Sequence, residues 1–194
     1  MTRKGILDSL YANFIMRDLV YIVGGGMILT SAKYLISGDL KDGFDLITGN
    51  FIAFLIFIVL SYFLGVIITQ GYLSTRIYKI ARIPNMDSGK YRNYIILEAL
   101  IERKYGESAC KKIERVNFLR LACSALFASS LTSFFLVAIA TILHLGRRPE
   151  DFVSLFILLL IAATSLVRNR ENRIYLNKIY NEFSEYIEEE GKSR

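Results

Sequence analysis

The chain has 194 residues, of which 53% are hydrophobic and 22% are charged, and its formal net charge is +6. Its mean hydropathy is +0.37, so apolar and charged residues must be separated along the chain, which favours an integral membrane protein over a soluble domain. One histidine and two cysteines exclude a catalytic triad of the usual kind and a cysteine–histidine zinc site. We therefore predict no catalytic residue, no cofactor and no metal.

Four apolar windows carry few or no charges: residues 19–37, 51–69, 121–145 and 152–167. A helix needs about 20 residues to cross the hydrocarbon core of a bilayer, so each window predicts one transmembrane helix. The fourth window is short, and its helix must extend at the ends. The predicted fold class is an all-α integral membrane protein with four transmembrane helices.

The first residues, MTRKGILDSLYANFIMRD, lack the continuous apolar run and small cleavage-site residues of a signal peptide. Their apolar residues recur on one helical face instead, and these are Ile6, Leu7, Leu10, Tyr11, Phe14 and Ile15. We predict an amphipathic helix that lies on the membrane surface. A helix that packs on the protein's own cytosolic part would show the same pattern.

Lysine and arginine are distributed unevenly between the loops. They concentrate in the N-terminal arm, the loop after the second span and the C-terminal tail, whereas the other connections hold only Lys41, Arg147 and Arg148. Because cytoplasmic loops carry this excess, we predict that both termini and the large loop are cytoplasmic. The predicted parts are a cytoplasmic amphipathic helix (1–18), a transmembrane hairpin (19–73), a cytoplasmic helical insert (74–120), a second transmembrane hairpin (121–167) and a cytoplasmic helical tail (168–194).

The insert combines helix-boundary residues with tyrosines and basic side chains. Pro84 should end an extension of the second span, and Gly106 can end the helix that follows. Positive charge beside the membrane attracts anionic lipid head groups, and interleaved tyrosines suit a protein interface. We favour a protein partner over direct contact with nucleic acid. The candidate partner-binding residues of the insert are Tyr91, Arg92, Tyr94, Arg103 and Lys104.

The tail continues with apolar residues at three- and four-residue steps, namely Leu176, Ile179, Tyr180, Phe183, Tyr186 and Ile187. Such a stripe is normally buried against another helix. The tail ends in an acidic run and the insert is basic, so a contact between them is predicted, with solvated charges as the alternative. Tyr180, Phe183 and Tyr186 complete the candidate partner-binding set.

Small residues occur inside two spans. Gly24, Gly25 and Gly26 are surrounded by apolar residues and do not match a phosphate-binding loop, which needs a strand before it and an exposed helix start after it. We therefore predict a close-packing or bending point. In the third span, small residues at four-residue steps, Ala125, Ser129 and Ser133, predict a helix contact of the kind that lets helices approach in lipid. A pore at the centre of an oligomer, lined by the hydroxyls of Ser129, Thr132 and Ser133, is the alternative.

Lys33 is the only lysine or arginine inside a predicted span. Its long side chain can carry the ammonium to the outer interface, where Asp39, Asp42 or Asp45 could pair with it. A role in ion movement is the alternative, because ionisable groups within spans are often functional. A conduction path would be better supported by several polar residues through the depth of the spans, and the sequence does not provide them.

Four spans in 194 residues, cytoplasmic ends and the tyrosine- and basic-rich insert IARIPNMDSGKYRNYIILEALIERKYG resemble the KwaA family, the membrane subunits of the bacterial Kiwa anti-phage defence system. The resemblance is one of architecture and covers the whole chain. It implies a homo-oligomeric sensor, a tetramer, in the bacterial inner membrane. It also implies recruitment of a soluble DNA-binding partner, KwaB, in response to phage infection, and it assigns no catalytic residues.

The sequence therefore predicts a non-enzymatic, oligomeric inner-membrane sensor or scaffold that anchors a soluble cytoplasmic partner, with a role in antiviral defence implied by the resemblance. A small ion channel or pore-forming effector is the alternative. A transporter is less well supported, because spans without paired charges offer little chemistry for a substrate site at the membrane midplane.

Overall fold

A computed structural model describes residues 3–39, 42, 50–74, 106–144 and 149–192, with side chains in these ranges except at 3–14, 74, 107–110 and 180–192. The described residues form four α-helices, α1 (Arg3–Ser37), α2 (Phe51–Ser74), α3 (Glu107–Leu143) and α4 (Pro149–Lys192). Each is long and apolar enough to cross a membrane. The predicted all-α class with four apolar spans is confirmed for this part of the chain.

The central helix of the bundle is α3. It packs against all three other described helices, α1 also packs along α2, and α4 packs on α3. One buried cluster joins Tyr72 of α2 to Phe127 of α3 and Ala162 of α4, and a second joins Tyr34 of α1 to Val137 of α3. The helices are thus arranged in the order α2, α1, α3, α4. In addition, α3 contacts α2.

The bundle has two different ends. At the loop end, α1 and α3 finish at Ser37 and Leu143 and α4 begins at Pro149. At the opposite, tail end lie the beginnings of α1 and α3 and the ends of α2 and α4. The apolar span of α4 is followed at this end by the run RNRENR, whose charges do not belong in hydrocarbon.

Three helices are much longer than a membrane is thick: α1 has 35 residues, and α3 and α4 are longer still. With 37 and 44 residues, α3 and α4 measure about 56 and 66 Å at 1.5 Å per residue, against about 30 Å of hydrocarbon. Their charged excess lies at the tail end, in residues 107–120 of α3 and 168–192 of α4, which we call the stalk. Ile113 and Leu176 are buried within it, so the two helices remain packed there.

The helix bounds differ from the apolar windows because hydropathy marks only the part of a helix that matches lipid. The segment predicted as a surface helix, 1–18, lies from Arg3 onward in the same uninterrupted helix as the first span. No proline or glycine interrupts residues 6–23, so nothing in the backbone breaks the helix there. The helix predicted within the insert lies outside the described residues.

Candidate functional site

Two glycines bring α1 and α2 into close contact. A Cβ atom on Gly25 would overlap the backbone carbonyl of Ser61, and a Cβ atom on Gly65 would overlap the backbone carbonyl of Tyr21. The two backbones therefore touch directly, which only residues without a side chain allow. Such contacts are typical of membrane helices that associate by packing rather than by hydrophobic exclusion.

The neighbours of Gly25 in the sequence contact different helices. A Cβ atom on Gly24 would lie 2.5 Å from Oγ of Ser129 in α3, whereas one on Gly26 would lie 3.3 Å from the ring of Phe57 in α2. Ala125, one turn before Ser129, is also fully buried. Residues 24–26 are thus the place where α1, α2 and α3 meet, within the first span.

Three serine hydroxyls near this meeting point, those of Ser61, Ser129 and Ser133, are fully buried and have no hydrogen-bond partner in the described structure. Thr132, by contrast, is half-buried and donates to the carbonyl of Ala128 at 2.8 Å. Ser129 and Ser133 are therefore buried between the helices of one chain.

At the loop end, a buried tyrosine and a buried aspartate join α1 to α4. The hydroxyl of Tyr34 donates to Oδ1 of Asp151 at 2.7 Å, and the two residues are only 2% and 1% exposed. Oδ2 of Asp151 has no hydrogen-bond partner. The carboxyl lies in the first turn of α4, where unpaired helix N–H groups favour an acidic side chain. A buried carboxyl in a span is costly, so this pair is a functional candidate.

The same end carries the chain's only histidine. Nε2 of His144 lies 2.9 Å from the carbonyl oxygen of Leu35, in the last turn of α1. Gly38 follows with a φ of 73° beside the imidazole ring, a conformation that glycine adopts without strain. Lys33 is half-buried in the preceding turn, and Asp45 of its predicted pairing group lies outside the described residues.

At the tail end, a buried polar cluster fastens α4 to α3 where the stalk begins. Nδ2 of Asn169 donates to Oγ of Ser124 at 2.9 Å, and Nε of Arg173 donates to Oδ1 of Asn169 at 3.2 Å. Ser124 in turn donates to the carbonyl of Arg120 at 3.0 Å. Asn169 and Arg173 are only 1% and 4% exposed. We call these residues the Asn169 cluster.

We expect Asn169→Ala to loosen the stalk, because it removes the acceptor of Arg173 and the donor to Ser124 in a buried place. Each buried hydrogen bond that is lost contributes about 0.5–1.5 kcal/mol, and more where one partner is charged. The midpoint of thermal unfolding, followed by size-exclusion chromatography of heated samples, should fall clearly. Asn172→Ala, on the same helix at a half-buried position, should change it little; equal effects would contradict the structural role of the cluster.

The predicted partner-binding residues fall outside this description. Tyr91, Arg92, Tyr94, Arg103 and Lys104 belong to the part of the chain that the structure does not describe. Tyr180, Phe183 and Tyr186 lie along the course of α4, but their side chains are not among the described ones. Among the described residues, no group of three or more His, Cys, Asp or Glu residues could hold a metal ion.

The four apolar helices define a multi-pass α-helical membrane protein. No protein-family model matches the chain, and no curated protein or solved structure is significantly similar to it. Its function must therefore be argued from its own residues.

Proposed function

We propose that this protein is a non-enzymatic membrane platform whose stalk holds a soluble protein partner on the cytoplasmic side of a bacterial inner membrane. The proposal rests on the length of the stalk and on the packing of its two helices. Two of the helices run well past the apolar spans, and the Asn169 cluster fixes them to each other at the point where they leave the membrane. Such a projection can present a binding surface to a soluble partner outside the lipid.

The distribution of charge supports the cytoplasmic assignment of the stalk. Basic residues at the tail end are Arg17 of α1 and, within the stalk, Lys111, Lys112, Arg115, Arg120, Arg168 and Arg170. The loop end has short connections with few basic residues. Under the positive-inside rule the tail end faces the cytoplasm, which places both termini there.

The surface of the stalk supports a protein partner. Ile174 and Tyr175 are each 51% exposed, although they follow the charged run 168–173 and so lie beyond the hydrocarbon. Two neighbouring large apolar side chains outside the lipid can form the centre of an interaction surface. Arg170 and Lys178 lie beside them and are also exposed. An apolar centre with a basic rim fits a protein surface with apolar and acidic groups.

We expect the double variant Ile174→Ala and Tyr175→Ala to reduce the partner that copurifies from the native host by about tenfold or more, because a few central apolar contacts dominate most interfaces. Quantitative mass spectrometry of the purified complex measures this loss. The matched control is Phe156→Ala with Ile157→Ala, an exposed pair in the apolar span (66% and 48%). Unchanged recovery, or an equal loss in the control, would contradict the assignment.

The resemblance to the KwaA family supplies the biological part of the proposal. We propose that the platform is homo-oligomeric and that it acts as a sensor in anti-phage defence. Cells that carry this gene with its genomic neighbours should then plate phage less efficiently than cells without it. The Ile174 and Tyr175 double variant should lose that protection while its membrane level stays normal, whereas protection that survives the loss of partner would separate defence from the platform role.

A further inference from the structure

The hydrogen bond between Tyr34 and Asp151 joins two helices that do not otherwise pack side by side. In the described bundle α4 packs along α3, and the backbones of α1 and α4 are not in contact. Tyr34 reaches α4 with its side chain, whose hydroxyl donates to Oδ1 of Asp151 at 2.7 Å. Leu155 and Leu158 of α4 pack against the buried cluster that contains Tyr34 and Val137. Within the described residues, one hydrogen bond and a small apolar contact thus hold the loop end of α4 to α1.

The carboxyl of Asp151 is poorly satisfied in this arrangement. The residue is only 1% exposed and its Oδ2 atom has no hydrogen-bond partner, although a carboxylate can accept about four hydrogen bonds. A buried polar group without partners raises the free energy of the packed state, because the same group would be hydrogen-bonded in water. Asp151 directly precedes the apolar window 152–167, so it lies at the edge of the membrane. A small displacement of α4 is therefore enough to bring water to Oδ2.

The other end of the span of α4 is held more firmly. Asn169 donates to Ser124 of α3 and accepts from Arg173, so its side-chain amide is engaged through both its nitrogen and its oxygen. At the loop end, by contrast, the outer face of α4 carries Phe152 and Phe156, which are 60% and 66% exposed. No described helix covers this face, so none blocks an outward movement of the first turns of α4.

We propose that Tyr34 and Asp151 form a latch between two conformations of the bundle. In the closed conformation, the one described above, the latch holds the first turns of α4 against α1. In the open conformation these turns have moved away from α1, and water hydrates the carboxyl of Asp151. Opening loses one hydrogen bond and part of an apolar contact but hydrates a group that the closed bundle leaves unpartnered, so the two conformations differ little in free energy. The latch lies at the end opposite the stalk and does not depend on a partner there.

The distance between the end of α1 and the start of α4 measures the latch directly. Spin labels at Ile36→Cys and Phe152→Cys, both exposed positions, report it by pulsed electron spin resonance in a background without Cys110 and Cys123. The closed latch should give a main short distance and a minor longer one. Tyr34→Phe should raise the ratio of the long to the short population about fivefold, the effect of one lost hydrogen bond. An unchanged distribution would overturn the proposal.

A second label pair separates the latch from a general loosening of the bundle. Labels at Leu119→Cys of α3 and Ile174→Cys of α4, also exposed, should give the same distance with and without Tyr34→Phe. Tyr175→Phe, which removes a hydroxyl at an exposed position of α4, should change neither pair. Equal broadening of both pairs in Tyr34→Phe would show a loss of packing throughout and would count against a latch.

The role of the carboxyl is tested by combining Asp151→Leu with Tyr34→Phe. This variant removes the group that gains hydration and leaves two apolar side chains in contact. The long population of the Ile36 and Phe152 label pair should therefore fall below that of Tyr34→Phe and below that of the wild type. A long population as large as in Tyr34→Phe would show that the carboxyl does not favour opening, which would refute the latch.

Discussion

Gly25→Leu is expected to abolish the folded bundle. The leucine Cβ would occupy the place of the Ser61 carbonyl and approach the backbone nitrogen of Gly65, so α1 and α2 would have to separate. Overpacking a well-packed core costs about 1–3 kcal/mol and occasionally more, and an overlap with the backbone of the facing helix should lie above the usual range. The loss of the monodisperse peak in size-exclusion chromatography of a fluorescent fusion measures the effect.

Substitutions at other glycines test whether the effect comes from the contact between α1 and α2. Gly24→Ala should be less harmful, because the Ser129 side chain can move, and Gly26→Ala should be mildest, because only the Phe57 ring must shift. Gly71→Leu is the matched control, since a Cβ at Gly71 has nothing within 4 Å. If Gly71→Leu unfolds the protein as readily as Gly25→Leu, the intolerance reflects leucine itself and not the helix contact.

The second large effect is expected at Tyr34 and Asp151. Tyr34→Phe removes the hydrogen bond to Oδ1 and leaves a buried carboxyl whose other oxygen already lacks a partner. Leaving such a group unsatisfied lowers the free energy of unfolding by about 1–3 kcal/mol. Thermal unfolding in detergent measures the change. Tyr175→Phe, which removes a hydroxyl at an exposed position, is the control and should have little effect.

A double-mutant cycle separates this pair from general damage to the core. Asp151→Leu alone leaves the Tyr34 hydroxyl buried without its acceptor, whereas Tyr34→Phe with Asp151→Leu leaves two apolar side chains in contact. Replacing both partners of a buried polar pair is often nearly neutral. The double variant should therefore be more stable than either single variant. Additive losses would show that the two residues act independently.

The sequence predicted the four spans because a bilayer imposes a length and an apolar composition that can be read locally. It predicted helical segments at 1–18 and 168–194, but not that each is continuous with the neighbouring span. The first helix starts at Arg3 and the last continues to Lys192, well past the apolar windows. Charged residues outside the lipid do not end a helix. The hydropathy therefore falls at the membrane surface although the helix continues.

The pairing of distant residues could not be predicted from periodicity. Tyr34 and Asp151 are separated by 117 positions, and Ser124 and Asn169 by 45, and no local pattern states which helices are neighbours. One signal was present: Pro149, Glu150 and Asp151 form a typical helix start, which places Asp151 on α4 rather than in a loop. Asn169 and Arg173 are four residues apart, a spacing that puts them on one helix face.

The continuity of α4 has a mechanical consequence. Asp151 and the Asn169 cluster lie on one helix, 18 residues or about 27 Å apart, and no glycine or proline lies between them. A helix without a hinge transmits rotation along its axis instead of absorbing it. If the hydrogen bond between Tyr34 and Asp151 at the loop end breaks, a rotation of α4 about its axis also changes the orientation of Ile174 and Tyr175. The helix α4 thus couples the two sides of the membrane mechanically.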